Sequence, residues 1–361
     1  MKQVHIGART IGLNNPTYII AEIGSNFDGN LARAKKLAKK CKEAGADAYK
    51  IQNFLASKIV SAEGFKNLKV AFQSKWDKPV VDVYKKAEFP RSWVKELAAY
   101  CAEIGIDFMS SPYDVEAVDL LEDIGVTAHK IGSGEVDNLE FLKYVAKTKK
   151  PVILGVGAAT LQDVEAAVKT IRRAANSKII VLQCVTNYPA PIADTNLRAM
   201  VSIGKKCEVL YGYSDHTIGP TQGGDDPLRG ITVPLGAVAL GACVIEKHVT
   251  DDPTRTGPDH PFAMTIDGNF KEMIQAVRAM EQAMGDGKKR LMPSEQETVV
   301  IQRRGVYAAT DIPHGKKIRR DMLEFLRPAV GLRPPETSRI IGKAAKKDIA
   351  KGSPISHDDI A

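Results

Sequence analysis

The chain has 361 residues, 44% of them hydrophobic and 26% charged, a globular balance that excludes wholesale disorder and collagen-like or coiled-coil character. Lysine and arginine number 51 against 43 acidic residues, a net +8. Of this, +6 lies from Ile301 onward, where 13 basic residues face 7 acidic ones; the balance suits anionic partners, nucleic acid or small phosphorylated acids alike.

The cysteines (Cys41, Cys101, Cys184, Cys207 and Cys243) are scattered and form no CxxC pair. That pattern fits neither a disulfide framework nor a zinc site and suits a reducing compartment. The opening MKQVHIGART lacks the apolar core of a signal peptide. The longest near-continuous apolar run, 233–245, is too short for the roughly 20 residues of a membrane span. A cytoplasmic protein without a membrane partner is expected.

In chain order, short apolar runs at 18–24, 47–52, 106–111, 128–132, 151–157, 178–184, 207–212 and 242–248 read as strands buried on both faces, hence a parallel sheet. Amphipathic stretches such as 31–44, 92–104, 161–174 and 270–284 lie between them, and two close at Gly45 and Gly105, a helix stop signal. Eight strands alternating with helices over roughly 250 residues predict an α/β fold of the (β/α)8 TIM barrel type. A doubly wound sheet is the competitor, but it would want a glycine-rich first turn.

Segment 53–90, with Trp76 and Tyr84, is long for a βα loop and is expected to fold over the barrel mouth. Segment 217–232 reads as an exposed loop. The expected domains are therefore a catalytic barrel over 1–285, a polar linker over 286–302 and a small β-rich module over 303–361. The basic run 316–320 lacks interleaved aromatics, which predicts a solvated surface and no nucleic-acid partner. His5, His314 and His357 read as solvated residues of loops and tails.

Barrel chemistry sits at the C-terminal ends of the strands, and polar residues crowd there. The ends carry Glu22; Lys50 and Gln52; Ser110 and Ser111; Lys130 with Ser133 and Glu135; Thr186, Asn187 and Tyr188; Ser214, Asp215 and His216; and Glu246, Lys247 and His248. Lysines, hydroxyls and glycine-rich turns suit an anion bearing both phosphate and carboxylate. His216 and His248, on adjacent strands near Asp215, Glu246 and Asp259, suit one divalent metal with open positions. Each residue alone also has a bland reading: a structural ion pair for either lysine, a hydrogen-bonded core position for either histidine, a partner of Lys50 for Glu22, a tight turn for Ser133. Their joint delivery to one rim is what packing alone does not explain.

The motifs IIAEIGSN-x-x-G (19–29), GADAYKIQ (45–52), AHKIGSGE (128–135), YPAP (188–191), YSDHTIG (213–219), IEKHVT (245–250) and GPDH (257–260) occur in an order that resembles the sialic acid synthase family. Its products are nine-carbon 2-keto sugar acids such as N-acetylneuraminic, legionaminic and pseudaminic acids. YAATDIPHGKKI and FLRPAVGL are similar to that family's C-terminal antifreeze-like (SAF) domain. The resemblance spans essentially the whole chain.

It implies metal-dependent condensation of phosphoenolpyruvate with an aldose, N-acetylmannosamine-like or a related hexose, releasing phosphate. It also implies phosphoenolpyruvate binding by Lys50, Ser111, Lys130, Ser133, Thr186 and Ser214, and Mn²⁺ or Mg²⁺ held by His216 and His248. Glu246 and Asp259 would surround metal-bound water, with Glu22 the acid/base group. Gln52 and Tyr188 would contact the sugar, as would Arg327 reaching across a domain-swapped homodimer. The sequence departs from the family pattern at Phe27 (usually His), at Gly155 (usually Ser), at Thr186 beside Asn187, and in the longer 217–232 loop, whose Asp225-Asp226 has no assigned role. Two alternatives stay open: a 3-deoxy-keto acid synthase or aldolase using a phosphorylated aldose, and a catalytically silent sugar-binding protein.

Overall fold

The computed structural model describes residues 3–66, 68 and 78–361. Trp76, expected over the barrel mouth, lies outside them. The chain divides into two units, Met1–Gly285 and Asp286–Ala361.

In the first unit, β1 (Val4–Ile6) and β2 (Arg9–Ile11) form an antiparallel hairpin. Eight parallel strands follow: β3 (Tyr18–Glu22), β4 (Ala48–Asn53), β5 (Asp107–Pro112), β6 (His129–Ile131), β7 (Val152–Gly155), β8 (Ile179–Gln183), β9 (Leu210–Asp215) and β10 (Val244–Thr250). They pair in the order β5-β4-β3-β10-β9-β8-β7-β6, and β5 runs beside β6 without a ladder, giving a nearly closed barrel. A two-residue strand, β11 (Met264–Thr265), adds to β10.

The intervening helices start where the sequence offers caps. Asn30 accepts from the Arg33 N–H at 3.0 Å to open α1 (Leu31–Ala44), which Gly45 closes with φ 98°. Segment 53–90 is not one loop but carries α2 (Ala56–Ile59), α3 (Ala62–Phe65) and α4 (Val80–Ala87) before α5 (Arg91–Glu103). The remaining helices are α6 (Val115–Asp123), α7 (Leu139–Lys147), α8 (Leu161–Arg173), α9 (Leu197–Cys207), α10 (Thr232–Ala239) and α11 (Lys271–Met284).

Side chains alternate across a strand, so each buried strand feeds two cores. Ile19, Ala21, Tyr49, Ile51 and Ile245 pack outward against helices. Ile20, Ala48, Met109, Ile153, Ile180, Leu210 and Val244 point inward and, with Val4, Ile6 and Ile11 of the hairpin, fill the lower barrel.

Some boundaries differ from expectation. The strand read at 207–212 begins at Leu210, because Cys207 is the last residue of α9 and Glu208 turns the chain with φ 52°. His5 stands on β1 rather than in a loop, although it is exposed as expected. Segment 217–232 is not simply exposed: Thr217, Ile218 and Asp226 are wholly buried. All five cysteines are free and buried.

In the second unit, β12 (Gly305–Ala308) pairs antiparallel with β13 (Leu323–Leu326) over a core of Val306, Ile312, Ile318, Leu332, Ile340 and Ile355. Segment 286–302, read as a linker, holds α12 (Gln296–Gln302) and groups with this unit. His314 and His357 are exposed, and so is the basic run apart from Ile318. No helix among the described residues is long and apolar enough to cross a membrane.

Candidate active site

Above the apolar floor of the barrel, the next inward positions are polar. Lys50 and Gln52 of β4, Ser111 of β5, Lys130 of β6, Ser214 of β9 and Glu246 and His248 of β10 line one cavity of about 430 Å³. The loops after the strands add Ser133, Glu135, Thr186, Tyr188, His216, Pro258, Asp259 and Phe262. Every residue expected in the site borders this cavity except Glu22 and Arg327. Glu22 is wholly buried; its carboxylate accepts from the Gly24 N–H at 2.6 Å and is ion-paired to Lys50 from behind. Arg327 belongs to the second unit, exposed directly after β13.

The two lysines converge on one carboxylate. Lys130 Nζ lies 3.2 Å and Lys50 Nζ 3.7 Å from Glu246 Oε1, to which the Ser214 hydroxyl also donates at 3.0 Å. Lys50 additionally donates to Ser111 Oγ at 3.1 Å. Burial lowers the Lys50 ammonium to about 7, against the pull of Glu246 and with the repulsion of Lys130. Burial works to raise Glu246, but Lys130 and Lys50 outweigh it and hold the carboxyl below its usual range. Lys50 and Lys130 against Glu22 and Glu246 thus form a balanced buried quartet, the condition under which charges tolerate removal from water.

Ser133 Oγ accepts the Gly157 N–H at 3.0 Å and touches Cys184 Sγ at 3.0 Å. The Gly155 departure has a geometric consequence. A Cβ there would come within 3.0 Å of Ser133 Oγ and 3.3 Å of Lys130 Nζ, so glycine leaves the space between those two groups open. At Gly24, φ 50° and a would-be Cβ 2.3 Å from Asp259 Oδ2 leave room for glycine alone. The turn brings the Ser25 N–H and hydroxyl to that oxygen at 2.6 and 2.7 Å. Asp259 is raised by burial, with Ser25 partly opposing.

His216 and His248 meet edge-on with ring centroids 5.6 Å apart. Burial lowers His216 to about 4 and His248 well below the usual imidazole range, so both are neutral near pH 7. His216 Nδ1 donates to the Val185 carbonyl at 2.6 Å, which turns the Nε2 lone pair outward as a ligating histidine requires. His248 Nδ1 and Glu246 Oε2 are buried with no hydrogen-bond partner among the described residues. No group of three or more His, Cys, Asp or Glu suited to a metal occurs among the described residues. The donors this corner of the cavity offers a cation are the two neutral imidazoles and the unpartnered Glu246 Oε2.

Aromatic and apolar groups form the wall that sequence reading largely missed. Tyr188 packs at a tilt against His216 at 4.3 Å and Phe262 at 4.9 Å, and Phe262 lies 5.1 Å from His248. Phe54, Ile59, Val83, Tyr84 and Ala87 line the cavity from segment 53–90, with Tyr113 beside them; Tyr84 was the one of these singled out in sequence. Phe27, by contrast, is core, 4.8 Å from Phe89. Its neighbour Asp28 binds His260 Nε2 at 2.9 Å and Arg255 at 2.7 Å. Lys247, adjacent to two cavity residues, points the other way and pairs with buried Asp215 at 2.5 Å.

A cavity of this make-up at the C-terminal rim of a parallel barrel is where (β/α)8 enzymes keep their chemistry, and that class is what fold and site define. Residues 37–289 match the NeuB family and 303–361 the SAF domain. The chain belongs to the NeuB family, the sialic acid synthase family whose motifs it shares. It is 38% identical over 337 residues to N,N'-diacetyllegionaminic acid synthase of Campylobacter jejuni, covering 92% of this chain and 96% of that protein. With pseudaminic acid synthase of Helicobacter pylori it shares 33% over 346 residues, 96% and 98% of the two chains. The crystal structure of N-acetylneuraminic acid (sialic acid) synthetase from Leptospira borgpetersenii superposes with a TM-score of 0.71 at 32% identity, covering 82% of this chain and 95% of that one.

Proposed function

We propose that the protein condenses phosphoenolpyruvate with an aldose, N-acetylmannosamine-like or a related hexose, to a nine-carbon 2-keto sugar acid, releasing phosphate. The observation that carries this is the convergence of Lys50, Lys130 and Ser214 on Glu246 beside a neutral imidazole pair in one cavity. Membership of a family whose named relatives are sugar-acid synthases supports it.

In this reading Lys50, Ser111 and Lys130 hold the substrate carboxylate, and Ser133, Thr186 and Ser214 hold its phosphate. Gln52 and Tyr188 contact the sugar. Even with both ammoniums charged the lysine–glutamate quartet is only neutral, so a substrate with up to three negative charges calls for further positive charge. A divalent cation, Mn²⁺ or Mg²⁺, held by His216 and His248 would supply that charge and polarise the aldehyde oxygen. C3 of the enol ester attacks the aldehyde carbon, water adds at C2, and phosphate leaves from C2. Glu246 and Asp259 are the cavity carboxylates available to move protons, and the burial that raises Asp259 suits it to hold one; Glu22, off the cavity, acts only through its ion pair with Lys50. The pocket holds the two reactants in line, which is the larger part of what such a site contributes.

Arg327 is proposed to serve the sugar from a second copy in a domain-swapped homodimer. The free buried cysteines support a reducing cytoplasmic setting.

The test is phosphate release from phosphoenolpyruvate with Mn²⁺ and a panel of hexoses, N-acylhexosamines and phosphorylated aldoses. Release with a neutral sugar is expected. Preference for a phosphorylated aldose would move the assignment to a 3-deoxy-keto acid synthase, and sugar binding with no release at all would leave a silent binding protein.

A further inference from the structure

The aromatic wall beside the histidines is carried by two loops, 186–196 and 251–263, that belong to different strand ends. Segment 219–226, between β9 and α10, touches both. Gln222 Nε2 donates to the Pro261 carbonyl at 3.1 Å and the Ala263 carbonyl at 2.9 Å, the two backbone oxygens that flank Phe262. Asp225 accepts the Ile192 N–H through both carboxylate oxygens, at 2.9 and 3.1 Å, four residues beyond Tyr188.

The segment has a rigid base from which to do this. Buried Asp226 accepts from Leu228 N at 2.8 Å, Thr232 N at 3.1 Å and Thr232 Oγ1 at 2.6 Å, and its own N–H donates to Ile218 O at 3.1 Å. Gly224 packs so closely on the Ile218 carbonyl that a Cβ would lie 2.0 Å from it. The Asp225-Asp226 pair left without a role in the sequence thus divides its labour, one carboxylate anchoring the segment and the other gripping a loop.

We propose that Gln222 and Asp225 are positioning residues which brace the Phe262 and Tyr188 loops and thereby set the sugar end of the cavity. The proposal rests on the reading of the site given above. Neither residue borders the cavity, so each acts through the loop it holds. Other ties remain when a brace is cut: β11 pairs with β10, His260 Nδ1 meets Thr250 Oγ1 at 2.8 Å, and Ala190 N donates to His216 O at 2.9 Å. The loops should loosen without unfolding. The lysine end of the cavity lies on strands these braces do not touch.

The test uses the full chain with Mn²⁺, phosphoenolpyruvate and the panel sugar turned over fastest. Losing one or two hydrogen bonds of ordinary strength should raise the KM for the sugar about 3- to 10-fold in Gln222→Ala and in Asp225→Ala. The KM for phosphoenolpyruvate should stay within about twofold. Gln222→Glu, the same size without a donor, should be no better than Gln222→Ala; recovery of the sugar KM in Gln222→Glu would show that bulk rather than hydrogen bonding matters and overturn the proposal. So would an unchanged sugar KM, or an equal rise for both substrates, in an active protein. Absence of turnover by the unaltered chain with every sugar would instead overturn the functional reading itself.

Discussion

Lys247→Met is expected to destabilise the barrel without entering its chemistry. Lys247 sits between two cavity residues in sequence, yet its ammonium donates to Asp215 Oδ2 at 2.5 Å and to the Thr217 carbonyl, with the pair's side chains 1% and 0% exposed. Removing one partner of a buried ion pair leaves the other charged and dry, which costs about 3–5 kcal/mol. Asp215 keeps two donors, the Thr217 N–H at 3.0 Å and hydroxyl at 2.9 Å, so the lower half of that range is expected. At roughly 2 °C per kcal/mol for a unit of this size, Tm should fall by about 6–8 °C. The double variant Lys247→Met with Asp215→Leu removes both charges and should recover most of the loss. Calorimetry of the four proteins gives the coupling energy directly. A loss under about 1 kcal/mol in Lys247→Met, or additive losses in the double variant, would refute the claim that this pair is a structural clasp on the outer face of β10.

Lys130→Met should raise the KM for phosphoenolpyruvate about 10- to 100-fold, the value of a charge-assisted hydrogen bond, with a smaller effect on the sugar; steady-state kinetics with each substrate varied decides it. Saturating Mn²⁺ should raise Tm, by about 2.7 kcal/mol of added stability at one hundred times Kd, and His248→Ala should abolish both that rise and phosphate release; a rise that survives in the variant would place the cation elsewhere. Arg327→Ala should impair sugar use more than phosphoenolpyruvate binding, and equal losses would count against its reaching a sugar site. Burial holds His129 below the usual imidazole range, partly opposed by Glu122, so below about pH 6.5 the unfolded chain binds a proton that the folded chain resists. Stability should therefore fall on acidification, and His129→Gln should flatten the fall in denaturant titrations between about pH 7 and 5.

Much of this architecture is legible in the linear order of residues, because the signals involved are local. Strand runs buried on both faces and helix stops at Gly45 and Gly105 each depend on a few neighbouring positions. The rim residues were legible for the same reason: a polar group ending an apolar strand is conspicuous wherever the strand lies. What one strand end does not reveal is which of three consecutive polar residues faces inward. Glu246, Lys247 and His248 read alike in sequence, and only pairing of β10 with β3 and β9 sends the first and third into the cavity and the second onto Asp215.

The aromatic wall and its braces belong wholly to the folded state. Tyr188, Phe262, Gln222 and Asp225 are drawn from loops that follow different strands, and no spacing rule links them. By itself the sequence determined the repeating strand–helix order, the (β/α)8 class and the identity of most groups at the rim, since apolar alternation and glycine stops act over a few residues. The sequence already offered Lys50 as a partner for Glu22, but tertiary structure alone decided that this pair leaves Glu22 off the cavity, that two lysines share Glu246, and that a half-buried glutamine brackets Phe262. Those contacts arise when the parallel sheet curls into a near-closed ring and brings together segments as far apart as Glu22 and Asp259, a closure set by the packing of the whole core rather than by any one stretch of chain.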